Sequence, residues 1–198
     1  MHSTRKKIIL ASSSPRRVAL LSGLGITFSV MPSNVDEEGV SAASPNAYTK
    51  KLAALKAEGT ARMVKNGIII GADTTVVLGK RILNKPKDKA DAMRMLRLLS
   101  GRTHKVVTGL CVLNKYTNEK VMAAVSTRIR FKRLSDKVII DYIKTGEPMD
   151  KAGAYAIQGG AAAFVEEIRG DYNNVVGLPV AKLSRILNRM GIAHKQAD

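Results

Sequence analysis

The chain has 198 residues, 45% of them hydrophobic, with 33 basic against 16 acidic residues and a formal net charge of +17. This length suffices for one substantial core or two small lobes, and no apolar run approaches the roughly 20 residues of a membrane-spanning helix. The single cysteine, Cys111, excludes an internal disulfide and a cysteine-based metal site. The three histidines (His2, His104 and His194) have no spacing typical of a zinc site.

The basic excess is spread over both halves of the chain, without a basic tail or an arginine-rich block. Aromatic residues, which stack on bases in nucleic-acid-binding proteins, make up only 4%. Charge therefore favours an anionic partner without specifying it, and a merely solvated basic surface is the alternative. The basic N-terminus has an apolar part of four residues, 8–11, too short for a secretory signal. We interpret it as a first strand and the protein as intracellular, with a cytoplasmic location.

The pattern predicts alternating strands and helices. Strands are expected over residues 8–11, 26–31 and 67–78, and helices over 15–23, 45–64, 89–99, 135–144 and 179–190, with Ser14, Ser44 and Asp88 as N-caps. Stretches 105–113 and 121–131 predict an antiparallel hairpin, whereas 82–90, 152–170 and 171–179 are expected to be loops or glycine-rich connections. Together these elements predict an α/β fold in a single domain over residues 1–198, with a mixed, bent sheet flanked by helices and two lobes around a deep cleft.

The stretch LASSSPRR (residues 10–17) combines a strand end, three serines and a helix start that carries two arginines. A helix start has free N–H groups and partial positive charge, so acidic residues are favoured there and arginines are not. Ser12, Arg16 and Arg17 are instead suited to binding an anion such as phosphate. The alternative is an N-cap serine followed by two solvated arginines.

Acidic residues occur at two places where a carboxylate has a chemical use. Asp73 ends the apolar run GIIIGAD, and a carboxylate at the end of a buried strand has to be paired, hydrogen-bonded or metal-bound. Asp36, Glu37 and Glu38 follow another predicted strand, so carboxylates from separate strand ends can converge on Mg²⁺. A structural turn aspartate and a solvated acidic loop are the alternatives.

Three further polar residues are candidates for substrate contact. Lys85 lies beside Pro86, which restricts the loop, and Lys56 lies within the second predicted helix. Taken singly, each of these lysines is typical of an exposed surface position, and only in combination do they indicate a substrate contact. Gln158 lies among glycines and alanines, and its carboxamide has the donor and the acceptor needed to recognise a base edge.

Six segments, taken together and in order, resemble the Maf family of nucleoside triphosphate pyrophosphatases. They are LASSSPRR (10–17), GADTTVVL (71–78), NKPKD (84–88), LSGRTHKVVTGL (99–110), GEPMDKAGAYAIQGG (146–160) and NNVVGLP (173–179). Each segment alone is weak, but the ordered set is specific and covers almost the whole chain. The resemblance implies hydrolysis of a nucleoside triphosphate to its monophosphate and pyrophosphate with a divalent cation, Mg²⁺ or Mn²⁺.

The resemblance also implies roles for the candidate residues. Ser12, Arg16 and Arg17 would bind the triphosphate, and Asp73 would be the catalytic acidic residue. The pocket would be completed by Glu37, Lys56, Lys85 and Gln158, with Asp73 and Glu37 as metal ligands. A homodimer that binds no specific nucleic acid and no membrane is expected on the same basis.

NKPKD and DKAGAYAIQGG are similar to the branch of the family that acts on dTTP and UTP rather than on 7-methyl-GTP. Two departures are Ala156, where glycine is expected, and Asn173, where serine is frequent; both concern the substrate more than the reaction class. The alternative function is a non-catalytic nucleotide- or nucleic-acid-binding protein in cell-division control. The acidic residues among the basic ones favour the enzyme, because carboxylates repel a bare polyanion.

Overall fold

A computed structural model describes residues 6–192, so His2 and His194 lie outside the described residues. Its strands are β1 (Ile8–Leu10), β2 (Ser29–Val30), β3 (Ile68–Leu78), β4 (Arg81–Leu83), β5 (Thr103–Asn114), β6 (Glu119–Phe131) and β7 (Val165–Arg169). They form one sheet in the order β2-β1-β3-β5-β6-β7, with β4 paired to β3. Strand β1 is parallel to β2 and β3, whereas β4 and β7 are antiparallel to their neighbours. The predicted mixed α/β fold is confirmed.

The helices are α1 (Pro15–Ser22), α2 (Pro45–Arg62), α3 (Lys89–Leu99), α4 (Asp136–Lys144), α5 (Tyr172–Val176) and α6 (Val180–Arg189). The side chains of Ser44, Asp88 and Ser135 accept hydrogen bonds from backbone N–H groups in the first turns of α2, α3 and α4. These caps explain where the helices begin, because the first N–H groups of a helix have no partner within it. No helix within residues 6–192 is both long and apolar enough to cross a membrane.

The described chain divides into two compact units. Unit 1 contains the residues up to Asp73, Thr108–Val125 and the residues from Gly177 onward, and unit 2 contains Thr74–Val107 and Ser126–Val176. Strands β3, β5 and β6 contribute residues to both units.

In unit 1 the buried side chains of β1, β3 and β5 alternate between two apolar clusters. One cluster includes Leu10, Ile70 and Leu183 of α6, and the other includes Ile9, Ile69 and Ala53 of α2. A Cβ atom built on Gly71 would lie 2.2 Å from the carbonyl oxygen of Ala53, and one on Gly109 would lie 2.3 Å from backbone atoms of Thr49. Helix α2 therefore contacts the sheet backbone to backbone, at a distance that no residue with a Cβ permits.

Unit 2 has an aromatic core. The ring of Phe131 packs edge to face against His104, Tyr155 and Phe164 at centroid distances of 4.9 to 6.1 Å. His104 is buried, its Nε2 atom lies 2.8 Å from the hydroxyl of Tyr155, and burial lowers the pKa of His104 to about 4. The imidazole is therefore neutral at pH 7, as expected of a histidine in a hydrophobic core.

Strands β5 and β6 are neighbours in the sheet and are joined by the four-residue turn 115–118. Parallel strands need a far longer connection, so this pair is antiparallel and the predicted hairpin is confirmed. Strand β4 corrects the prediction of a loop from residue 82, and β7 and α5 correct the predictions of connections over 152–170 and 171–179. These elements have three to five residues, too few to show the hydrophobic periodicity that predicts a helix or a strand. Strands β4 and β7 form by pairing with β3 and β6, which their own residues do not indicate. Strand β2 is likewise shorter than the predicted 26–31.

Candidate functional site

The serine-rich segment forms the turn between β1 and α1 in unit 1. Ser14 is the N-cap residue but makes no side-chain capping bond, and the first turn of α1 contains no acidic residue. Ser12 is buried, and its hydroxyl oxygen accepts hydrogen bonds from Ser14 N–H at 3.3 Å and from Arg17 Nη1 at 3.1 Å. The turn therefore combines a hydroxyl group, an arginine and a helix N-terminus, which together suit an anion.

The two arginines of this turn differ in their surroundings. Arg17 donates from Nε to the carbonyl oxygen of Gly177 at 2.9 Å. Burial lowers the pKa of Arg17, and the carboxylates of Asp73 and Glu37 oppose that effect. Arg16 is half-buried, and its guanidinium has no hydrogen bond or ion pair with any residue in the range 6–192. Arg17 is thus fixed in place by the protein, whereas Arg16 retains all five donors for a ligand.

Asp73, Lys56 and Glu37 form a charged cluster in unit 1. The ammonium of Lys56 lies 2.6 Å from Asp73 Oδ1 and 3.1 Å from Glu37 Oε1. Asp73 is buried, most of the Lys56 side chain is shielded from solvent, and Glu37 is exposed. The cluster therefore places one carboxylate against the protein interior and a second towards solvent, with a single cation shared between them.

The strand predicted over 67–78 is confirmed and contains Asp73, but the interpretation of Asp73 as a carboxylate at the end of a buried strand is wrong. Asp73 is the sixth of eleven residues in β3 and not its end, because the strand continues through TTVVL to Leu78. Its side chain is satisfied by an ion pair, as burial requires, so the expectation of a paired carboxylate is confirmed. Of the acidic trio, Asp36 accepts from the backbone N–H of Glu38 within its own loop, and Glu37 is the member that reaches Lys56.

In unit 2, Lys85 belongs to a restrained loop. The side-chain oxygen of Asn84 accepts a hydrogen bond from the buried hydroxyl of Thr75 at 3.2 Å. The backbone carbonyl of Asn84 accepts from Gly153 N–H at 3.1 Å. The adjacent Pro86 is buried, and Lys85 itself is exposed. The loop is thus fixed while the lysine side chain remains accessible to a ligand.

Gln158 is also exposed, within a turn of unit 2 whose Ala156 carbonyl accepts from Gly159 N–H at 3.1 Å. Six of the eight predicted site residues therefore belong to unit 1, and Lys85 and Gln158 belong to unit 2. The sequence did not indicate Gly177, whose carbonyl binds Arg17. The acceptor is a backbone carbonyl 160 residues along the chain from Arg17, so the residue type at position 177 does not reveal it. The segment NNVVGLP (173–179), which contains Gly177, was one of the six that the sequence analysis singled out.

The chain is similar to known proteins over nearly its whole length. The model of the family described as Maf-like protein matches residues 7–190. A protein of Geotalea uraniireducens named dTTP/UTP pyrophosphatase is 52% identical over 96% of this chain and 98% of its own. A protein of Dictyoglomus turgidum with the same name is 48% identical over 94% of this chain and 97% of its own.

Among solved structures, a HAM1 protein from Coxiella burnetii aligns with a TM-score of 0.54. The alignment covers 93% of this chain and 99% of that one, at 16% identity. Identity this low relates the two proteins by fold only.

Proposed function

Because the chain belongs to the Maf-like protein family, we propose that it hydrolyses dTTP and UTP to the nucleoside monophosphate and pyrophosphate. The observation that carries this proposal is the identity of about half of all residues, over nearly the full length of both chains, with proteins named for that activity. The carboxylates and basic groups gathered in unit 1 supply chemistry that the reaction requires.

We propose that Ser12, Arg16 and Arg17 bind the triphosphate at the N-terminus of α1. Two planar guanidinium groups, a hydroxyl and free backbone N–H groups suit phosphate oxygens, and the first turn contains no carboxylate that would repel them. Charge that develops on the departing pyrophosphate is then stabilised by groups already in place.

We further propose that Asp73 is the catalytic base. Its carboxylate accepts a proton from a water molecule whose oxygen bonds to the α-phosphorus while the bond to the α–β bridging oxygen breaks. The electron pair of that bond leaves with pyrophosphate, and the other product is the monophosphate. Lys56 orients the carboxylate through its 2.6 Å contact with Oδ1.

A divalent cation, Mg²⁺ or Mn²⁺, is proposed as the cofactor, with Asp73 and Glu37 as its protein ligands. Both carboxylates contact one cationic group, the Lys56 ammonium, and no third acidic, histidine or cysteine ligand joins them within residues 6–192. This donor set fits Mg²⁺, which commonly takes one or two carboxylates and completes its shell with substrate phosphates and water. When bound, the cation would supply positive charge that neutralises the triphosphate.

In unit 2, we propose that Lys85 binds phosphate and that Gln158 recognises the base. A uracil or thymine edge offers carbonyl oxygens and one N3–H, which a carboxamide meets with its own donor and acceptor. A mismatched base leaves polar groups unpaired and is disfavoured. We also propose a cytoplasmic location and, on the family resemblance alone, a homodimer without a specific nucleic-acid partner.

The test is pyrophosphate release from dTTP, UTP, CTP, ATP, GTP and 7-methyl-GTP, each with Mg²⁺ and with Mn²⁺. We expect the highest kcat/KM for dTTP and UTP. A clear preference for a guanine nucleotide would contradict the substrate assignment but not the reaction class. Absence of release from every triphosphate, together with salt-dependent binding to long DNA or RNA, would instead support the non-catalytic alternative.

A further inference from the structure

Gln158 belongs to a turn whose backbone is tightly defined. The carbonyl of Ala156 accepts from Gly159 N–H at 3.1 Å, which makes Gln158 the third residue of a four-residue turn. The side chain of Gln158 is exposed. Its direction therefore depends on what holds the backbone at each end of the turn.

Two side chains from outside the turn hold both ends. The hydroxyl of Tyr142, in α4, accepts from Ala156 N–H at 3.0 Å and donates to Glu147 Oε1 at 3.0 Å. The other oxygen of Glu147 accepts from Gly160 N–H at 3.1 Å. One hydrogen-bonded chain thus runs from the start of the turn to the residue after it.

The carboxylate of Glu147 also lies directly against the turn. A Cβ atom built on Gly159 would be 2.1 Å from Glu147 Oε1 and 2.5 Å from Oε2. Tyr142 is buried, and burial raises the pKa of its phenol, so the hydroxyl keeps the proton that it donates. The contact therefore has a fixed direction, from phenol to carboxylate.

We propose that Glu147 and Tyr142 are positioning residues for base recognition, because together they fix the turn that presents Gln158. This inference rests on the proposed function and adds to it a pair of side chains that determine specificity without contacting the reacting phosphate. A carboxylate accepts at both oxygens, which is what two donors, Tyr142 O–H and Gly160 N–H, require. An amide at position 147 accepts at one of these oxygens only.

The experiment compares Glu147→Gln and Tyr142→Phe with wild type, and with Asp141→Asn as a matched control. Asp141 is the neighbour of Tyr142 in α4, and its exposed carboxylate pairs with Lys144. We expect both test variants to raise the KM for dTTP by about tenfold, with kcat changed less than about threefold. The ratio of kcat/KM for dTTP over CTP should fall, and Asp141→Asn should leave both quantities unchanged.

A double-mutant cycle establishes whether Glu147 acts through Gln158. If it does, Glu147→Gln adds little to the loss of selectivity already caused by Gln158→Ala. Additive losses, or unchanged KM and dTTP/CTP selectivity in both test variants despite a lowered Tm, would overturn the inference and leave a structural contact. Failure of the wild-type protein to release pyrophosphate from dTTP would instead overturn the proposed function.

Discussion

The ammonium of Lys56 lies 2.6 Å from Oδ1 of Asp73, although one residue belongs to helix α2 and the other to strand β3. Both side chains are largely shielded from water, with exposed fractions of 15% and 12%. Removing one partner of such a pair leaves a desolvated charge, which costs more than the loss of an exposed ion pair. The contact therefore links the stability of unit 1 to the residue that we propose as the base.

Asp73→Asn is expected to reduce kcat for dTTP by at least about 100-fold, because the amide keeps the volume but does not accept the proton and lacks the negative charge that attracts a cation. Pyrophosphate release measures the loss, and circular dichroism checks the fold. Asp136→Asn is a suitable control, since Asp136 is exposed and pairs with Arg97 at the start of α4. A rate above about one tenth of wild type would remove Asp73 from the mechanism.

Lys56→Met is expected to destabilise the nucleotide-free protein by about 2 kcal/mol in EDTA, since Asp73 loses its charged hydrogen-bond donor. The two carboxylates then share no ammonium, so Mn²⁺ should raise the Tm of this variant more than that of wild type. Thermal melts with EDTA and with Mn²⁺ measure both effects, and Lys50→Met in the same helix is the control. Equal Mn²⁺ shifts in the variant and wild type would contradict metal binding at these carboxylates.

Thermal melts should distinguish the roles of the two arginines of α1. Arg16→Ala is expected to leave the Tm of the free protein nearly unchanged, because its guanidinium has no partner within residues 6–192, but to abolish most of the stabilisation by dTTP. Arg17→Ala should lower the Tm of the free protein as well, since it removes the hydrogen bonds to Gly177 and Ser12. The opposite pattern, with Arg16 the destabilising change, would show that Arg16 is the structural residue of the pair.

The sequence predicted which residue types form the candidate site, and the structure added which of these side chains contact each other. The pairing required of a buried carboxylate indicated Asp73, and the cap residues Ser44 and Asp88 correctly predicted the starts of α2 and α3. The sequence could not specify which lysine reaches Asp73, because that depends on how closely α2 approaches β3. Strands β4 and β7 were not predicted either, because they are strands through their pairing with β3 and β6 and not through a pattern in their own residues.

His104 should make the stability of the protein depend on pH. Its pKa is about 4 in the fold and 6.5 as the ordinary value, so below pH 6.5 the unfolded chain binds a proton that the folded chain does not. The free energy of unfolding should therefore fall by about 2 kcal/mol from pH 7 to pH 5 on account of this residue. Urea denaturation of wild type and His104→Gln at both pH values isolates the effect, since the carboxylates are common to both. Identical pH dependence in the two proteins would contradict it.

The backbone contact of α2 with Gly71 and Gly109 has a consequence for genetic screens. A methyl group at either position would force the helix outward, and Lys56, carried on that helix, would withdraw from Asp73. Such substitutions would appear among inactive alleles although neither glycine has a functional group. A second-site change could compensate only by shortening a side chain on the face of α2 that packs against the sheet. Two residues on that face, Ala53 and Ala57, are already alanines, so little volume can be removed there. Suppressors of these alleles should therefore be rare, and a library of revertants should consist chiefly of restored glycine codons.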